Sequence, residues 1–187
     1  MRTGTNTIFF LHPSAIPKRK KVTYCRIVSS IRPLKIEVHQ VKVTVGGDRL
    51  EYSESITAIP AQLSTVKIHI NCTISTRNAR YIMTDIKDFF CGTPMKETDY
   101  EYAQIPLHLI SEEIIEQYEL RKIAVNNRVY FEIRKGMLGL KQASLIANER
   151  LSKLLTSASY IQSRFMQSLW KHKNWMLVSC WSLMILG

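Results

Sequence analysis

What this chain lacks narrows its chemistry before any motif is read. No acidic residue follows Glu149, so the C-terminal stretch offers no carboxylate for metal or acid–base chemistry. The four cysteines, Cys25, Cys72, Cys91 and Cys180, are scattered, with no Cys-x-x-Cys and no neighbouring histidine pair. That spacing argues against a zinc site and a disulfide framework, and it fits a reducing compartment. His108 and His172 stand alone and read as surface residues. No apolar run approaches the roughly 20 residues that span a bilayer. Ile8-Phe9-Phe10-Leu11 is too short for a signal-peptide core. An intracellular protein, cytoplasmic or nuclear and without a membrane partner, is expected. Internal repeats and low-complexity linkers are absent as well.

What is present suits a folded chain. The 187 residues are enough for one good core, or for one domain with a smaller appendage, and 45% hydrophobic and 22% charged is ordinary for a globular protein. The formal net charge of +11 favours a polyanionic partner, nucleic acid ahead of a membrane surface, although solvated surface accounts for much of any such excess.

Residues 1–17 read as an irregular segment, punctuated by Pro13 and Pro17. The basic run Lys18-Arg19-Lys20-Lys21 suits a nuclear address, a phosphate clamp or a plain solvated cluster. Val22 to Val28 alternates as a strand that carries Arg26. Val41, Val43 and Val45 share one face with Lys42 and Thr44 on the other. Gly46-Gly47 then predicts a tight turn, and Leu50 and Tyr52 a return strand. Lys42 on the polar face and Arg49 past the turn are placed to reach a triphosphate or a template backbone, or to be scaffold. Leu63, Val66, Ile70 and Ile74 recur at helical spacing and predict a helix over 62–75.

Residues 80–84 read as a short apolar strand ending on Asp85. A carboxylate there either caps a turn or faces a cation such as a metal ion. Pro94 opens an irregular acidic section through Glu97, Asp99 and Glu101. A helix is expected at 111–119, with Ser111 able to cap it and early glutamates suited to its N-terminus. Asn126-Asn127 predicts a turn and Val129–Ile133 a strand. Gly136 to Ser144 leads into a helix with the stripe Ala147, Leu151, Leu154, Leu155 and Ala158. Lys141 and Gln142 stand at its entrance, where a ligand could be faced.

Two of these stretches together resemble the reverse transcriptase of copia-type retrotransposons. Thr84-Asp85-Ile86-Lys87-Asp88-Phe89-Phe90-Cys91-Gly92 is similar to that family's Asp-Val-Lys-x-x-Phe-x-x-Gly motif, with the glycine displaced by one position. Leu138-Gly139-Leu140-Lys141-Gln142-Ala143 resembles its Tyr-Gly-Leu-Lys-Gln-Ala box. Arg26, in Tyr24-Cys25-Arg26-Ile27-Val28, resembles the arginine of its Lys-Ala-Arg-Leu-Val strand, with Tyr24 standing where the pattern has lysine. The likeness covers about residues 17–170.

The resemblance implies an α+β fold: polymerase fingers plus an incomplete palm, the palm being an antiparallel sheet backed by helices. It implies RNA-directed DNA polymerisation by two-metal nucleotidyl transfer, with the ions about 3.5–4 Å apart. Magnesium would be held by Asp85 and the Ile86 carbonyl, because that ion prefers oxygen ligands. Phe90 would be the gate against a ribose 2′-hydroxyl, or ordinary core. Gln142, Lys141 and Arg26 would contact the incoming deoxynucleotide. Lys18, Arg19, Lys20, Lys21, Lys42 and Arg49 would hold an RNA/DNA template–primer. Integrase and RNase H segments are expected in an intact element.

The implied domains are 1–17, irregular; 18–170, fingers and palm fragment; and 171–187, an out-of-frame apolar tail. In the family an Asp-Asp pair follows soon after Leu-Trp-Lys-His. Here Leu169-Trp170-Lys171-His172 is followed by no acidic residue. Cys180 to Gly187 can be encoded so that a shifted frame reads Leu-Val-Val-Asp-Asp-Phe-Gly, and the tryptophan and methionine codons, which allow no choice, are compatible with it. A frameshift between about Lys171 and Val178 is inferred. The expected product is inactive in polymerisation. The alternatives are a non-catalytic basic nucleic-acid-binding remnant and a pseudogene product. The tail itself would otherwise be a short apolar helix or strand.

Overall fold

In the computed structural model the described residues are 5–34, 36, 38–52, 61–84 and 86–180. The chain divides into two units: Met1–Ile56 with Asp88–Ile146, and Thr57–Lys87 with Ala147–Gly187.

The first unit is built on a five-stranded sheet of order β1-β5-β4-β2-β3. Its strands are β1 (Ile8–Leu11), β2 (Val22–Ile31), β3 (His39–Val45), β4 (Glu101–Pro106) and β5 (Arg128–Ile133). The pairs β1–β5, β4–β5 and β2–β3 are antiparallel, whereas β2 and β4 run parallel. The α+β content expected from sequence is present, but the sheet is mixed rather than antiparallel. A parallel neighbour requires a long crossover, and here everything between Ile31 and Glu101 separates β2 from β4.

Strand alternation sets the core. Val129, Phe131 and Ile133 of β5 lie opposite Ile105, Ala103 and Glu101 of β4 and point to one face. Cys25, Val45, Leu50, Leu120, Met137 and Leu140 join them in one buried cluster. Removing such side chains from water stabilises by about 1.5–3 kcal/mol each. Burial pushes the Cys25 thiol up to about 12, so it acts as a small apolar side chain. Short helices α2 (Glu112–Gln117) and α3 (Leu120–Ile123) close one side and bring in Ile115 and Leu120. Ser111 stands at the N-cap of α2 as expected, though its side chain makes no cap hydrogen bond. Asn126 and Asn127 both adopt positive φ, 51° and 59°, in the turn that feeds β5.

Three sequence expectations change here. Ile8–Leu11 is a strand within the stretch read as irregular, recruited by pairing with β5. Glu101–Pro106 is an interior strand within the acidic section. The hairpin joins β3 to the preceding strand β2, with Cys25 opposite Val45 and Ile31 opposite His39. Residues 47–49 form a single 3-10 turn, and Leu50 enters the core rather than starting a return strand. The reason lies in the glycines. Gly46 has φ −77°, so it does not make a mirror-image turn; Gly46 lies against the Tyr24 ring and Gly47 against the Gly139 carbonyl, where a Cβ would collide.

The second unit contains α1 (Leu63–Ser75), most of α4 (Ala143–Ser157), and an antiparallel three-stranded sheet β6-β7-β8. The strands are β6 (Tyr160–Gln162), β7 (Leu169–His172) and β8 (Val178–Cys180). Helix α1 matches the sequence expectation within one residue at its start, yet Leu63 and Ile74 of its apolar stripe are exposed. The expected strand before Asp85 does not form. Residues 79–84 have no regular structure, and Ile82 is 81% exposed. A run of three apolar residues is too short to compete without a neighbouring strand to pair with. In the tail, Val178–Cys180 takes the strand alternative, and residues 181–187 lie outside the described set.

Candidate nucleic-acid interface

Four of the cationic residues singled out from sequence, Arg26, Lys42, Arg49 and Lys141, fall on one side of the first unit. Alternation along β2 puts Tyr24 and Arg26 on the face opposite Cys25. Arg26 lies across from Thr44 and Val28 across from Lys42, so Arg26 and Lys42 share that face. Arg26 and Arg49 both lie over the Tyr24 ring, their guanidinium carbons 5.0 and 4.8 Å from its centroid. A ring with a cation on it holds those long side chains in place by about 0.5–1 kcal/mol at an exposed site. The Tyr24 hydroxyl donates to Asp48 at 3.0 Å, which fixes the ring's far end.

Beside this platform is an open cleft of about 590 Å³ lined by Lys21, Asp48, Arg49, Leu50, Glu51, Tyr52 and Lys141. Lys141 arrives there because the chain from Leu138 to Leu140 docks on the end of β3. The Val45 amide donates to the Leu138 carbonyl at 2.9 Å, and Gly139 takes φ +97° against the Val45 backbone. Lys141 Nζ then donates to the Leu50 carbonyl at 3.1 Å. The two carboxylates at the cleft are engaged: Asp48 by Tyr24 and Glu51 by Lys21, which holds the Glu51 carboxyl below the usual range. Arg26, Arg49 and Lys141 are exposed, and Lys42 is half-buried.

Other expected contacts lie elsewhere. Lys18 and Arg19 are exposed ahead of β2, whereas Lys20 turns inward to Glu101 at 3.8 Å. Gln142 is fully buried and hydrogen-bonds the Glu101 side chain. Burial raises the Glu101 carboxyl above its usual value, with Lys20 and Gln142 opposing. Lys20, Glu101 and Gln142 thus form a polar cluster in which Glu101 and Gln142 are buried and Lys20 is half-buried. Sequence reading missed it, although the alternation Glu101, Ala103, Ile105 was the available signal. Phe90 is partly buried against the core, 5.7 Å from the Phe89 ring, and its backbone lies against Gly136.

Asp85 lies outside the described residues, and Ile86 is exposed. Among the described residues, no three His, Cys, Asp or Glu side chains gather to hold a metal ion. No described helix is long and apolar enough to cross a membrane. No protein-family model, curated protein or solved structure matches this chain.

Proposed function

We propose that this chain is a non-catalytic nucleic-acid-binding fragment of a copia-type reverse transcriptase, holding template–primer backbone on the Tyr24 platform and its cleft. The observation that carries the reading is the meeting of Arg26, Lys42, Arg49 and Lys141 on one side of one unit, from three separate stretches of sequence. Cations spaced along a strand pair suit a phosphate backbone, and they bind it without reading sequence. The fingers-and-palm fold, the intracellular location and the loss from integrase and RNase H neighbours belong to the same proposal, as does origin in a frameshifted element. Asp85 would be a remnant of the metal site, with Phe90 and Gln142 as packing residues rather than nucleotide contacts.

The reading predicts RNA and single-stranded DNA binding that weakens steeply with salt. It also predicts no primer extension by the purified protein with magnesium and deoxynucleotides. Magnesium-dependent incorporation by that protein would overturn the non-catalytic half of the proposal.

A further inference from the structure

Strand β3 ends the five-stranded sheet, and among the described residues no strand lies beyond it. It runs seven residues, His39–Val45, without proline or glycine, and its register with β2 is unbroken. Native edges are usually shortened or interrupted, because a regular one offers unpaired amides and carbonyls to another strand. The opposite edge of the same sheet, β1, is only four residues long.

Hydrogen-bond alternation fixes which groups β3 offers. Toward β2 the bonds come from even-numbered residues: the Gly46 amide donates to the Tyr24 carbonyl at 2.9 Å, and the Arg32 amide to the Val38 carbonyl at 2.6 Å. His39, Val41, Val43 and Val45 therefore turn their amides and carbonyls away from β2. The Val45 amide is already engaged by the Leu138 carbonyl at 2.9 Å. Among the described residues, nothing bonds the outward groups of His39, Val41 and Val43. Their side chains share a face with Ile27 and Ile31 of β2. That face is buried at Cys25 and Val45, but farther along it is uncovered, with Val41 66% and Ile31 70% exposed.

We propose that β3 pairs antiparallel with β3 of a second copy of this chain, forming a two-fold dimer whose sheet continues through the interface. The position of the axis follows from the neighbours. An axis at Val43 needs Val45 opposite Val41, and the Val45 amide is engaged. An axis at Lys42 needs Val45 opposite His39 and also sets Lys42 against Lys42, like charges directly opposed. An axis at Val41 calls only on His39, Val41 and Val43 for backbone bonds. Val41 then meets Val41, Val43 meets His39, and Lys42 meets Gln40. Each outward amide from 39 to 43 finds an outward carbonyl. The occupant is a second copy because this open stretch is centred on Val41 and complements itself without a charge clash. A single strand pair makes a small interface, of the kind found in transient complexes. Arg26, Lys42 and the Tyr24 ring lie on the other face of the sheet, so the dimer stands or falls independently of the function proposed above.

The test combines sedimentation equilibrium of the full chain with cysteine cross-linking. Cross-linking uses a Cys72→Ser background, since Cys72 is an exposed thiol. With the axis at Val41 the two central Cα atoms are about 5.5 Å apart, inside the roughly 4.4–6.8 Å a disulfide spans. The two Val43 residues are about 14 Å apart along the strands. Val41→Cys is therefore expected to form a disulfide-linked dimer under mild oxidation, and Val43→Cys is not. Val41→Arg, an exchange at an exposed side chain, is expected to raise the dimer dissociation constant about fivefold or more while circular dichroism stays unchanged. A wild-type chain that remains monomeric up to about 0.2 mM, weaker than transient pairs require, would overturn the proposal. So would a dimer unaffected by Val41→Arg, or cross-linking of Val43→Cys in preference to Val41→Cys.

Discussion

Removing two of the four cations at the Tyr24 platform should change the salt dependence of binding by a calculable amount. Each phosphate neutralised on a single strand contributes about −0.7 to the slope of log affinity against log salt. Four contacts, from Arg26, Lys42, Arg49 and Lys141, contribute about −2.8. Raising salt from about 50 to about 200 mM should then weaken this component ~50-fold. Arg49→Ala/Lys141→Ala halves the slope to about −1.4, and the same salt step should cost only ~7-fold. Arg49 and Lys141 line the cleft, and Arg49 is exposed. Their loss should leave the core intact, which far-ultraviolet circular dichroism would verify. Fluorescence anisotropy of labelled single-stranded RNA across that salt range provides the slope. An unchanged slope in the folded double variant would refute the assignment of phosphates to this side.

Other expectations concern the fold behind the cleft. Leu120 is completely buried, so Leu120→Ala should cost about 2–5 kcal/mol in a urea titration. Gly139→Ala would place a Cβ against the Val45 backbone at φ +97° and should destabilise by about 1 kcal/mol or more, lowering the thermal midpoint. Glu101 has a raised carboxyl pKa, so ionisation costs more in the folded than the unfolded chain. Its contribution is fully present below the usual value of 4.5 and is lost as pH rises through the raised value. Glu101→Gln should therefore flatten the stability profile above about pH 4.5, seen by urea unfolding across pH; a profile parallel to wild type would contradict the burial argument.

Local patterns in the sequence were read well where they were strong and unopposed. The strands at 22–28 and 129–133, the Asn126-Asn127 turn and the helix at 62–75 follow from period and turn chemistry alone. The failures share a cause. Whether Val41–Val45 pairs forward with 50–52 or backward with β2 is decided by the close approach of Gly139 to Val45 and Gly47, which no local window contains. Burial of Glu101 depends on Lys20 and Gln142 from distant stretches. Ile8–Leu11 becomes a strand only because β5 supplies its partner. For the candidate interface, Arg26, Lys42, Arg49 and Lys141 were each legible as cations. Their common face was not, since it rests on the β2–β3 register and the docking of 138–140. Tyr24, which departs from the family pattern, turns out to organise two of those cations.

The central claim is that nucleic-acid binding on this side needs no metal site. The most direct measurement is a mobility shift with single-stranded RNA at low ionic strength in the presence of EDTA. It compares the wild-type chain, Asp85→Asn, and a variant with Arg26, Lys42, Arg49 and Lys141 all changed to alanine. Equal binding by wild type and Asp85→Asn, with marked weakening in the fourfold variant, is the predicted result. Wild-type binding by the folded fourfold variant, or loss of binding in Asp85→Asn, would contradict it.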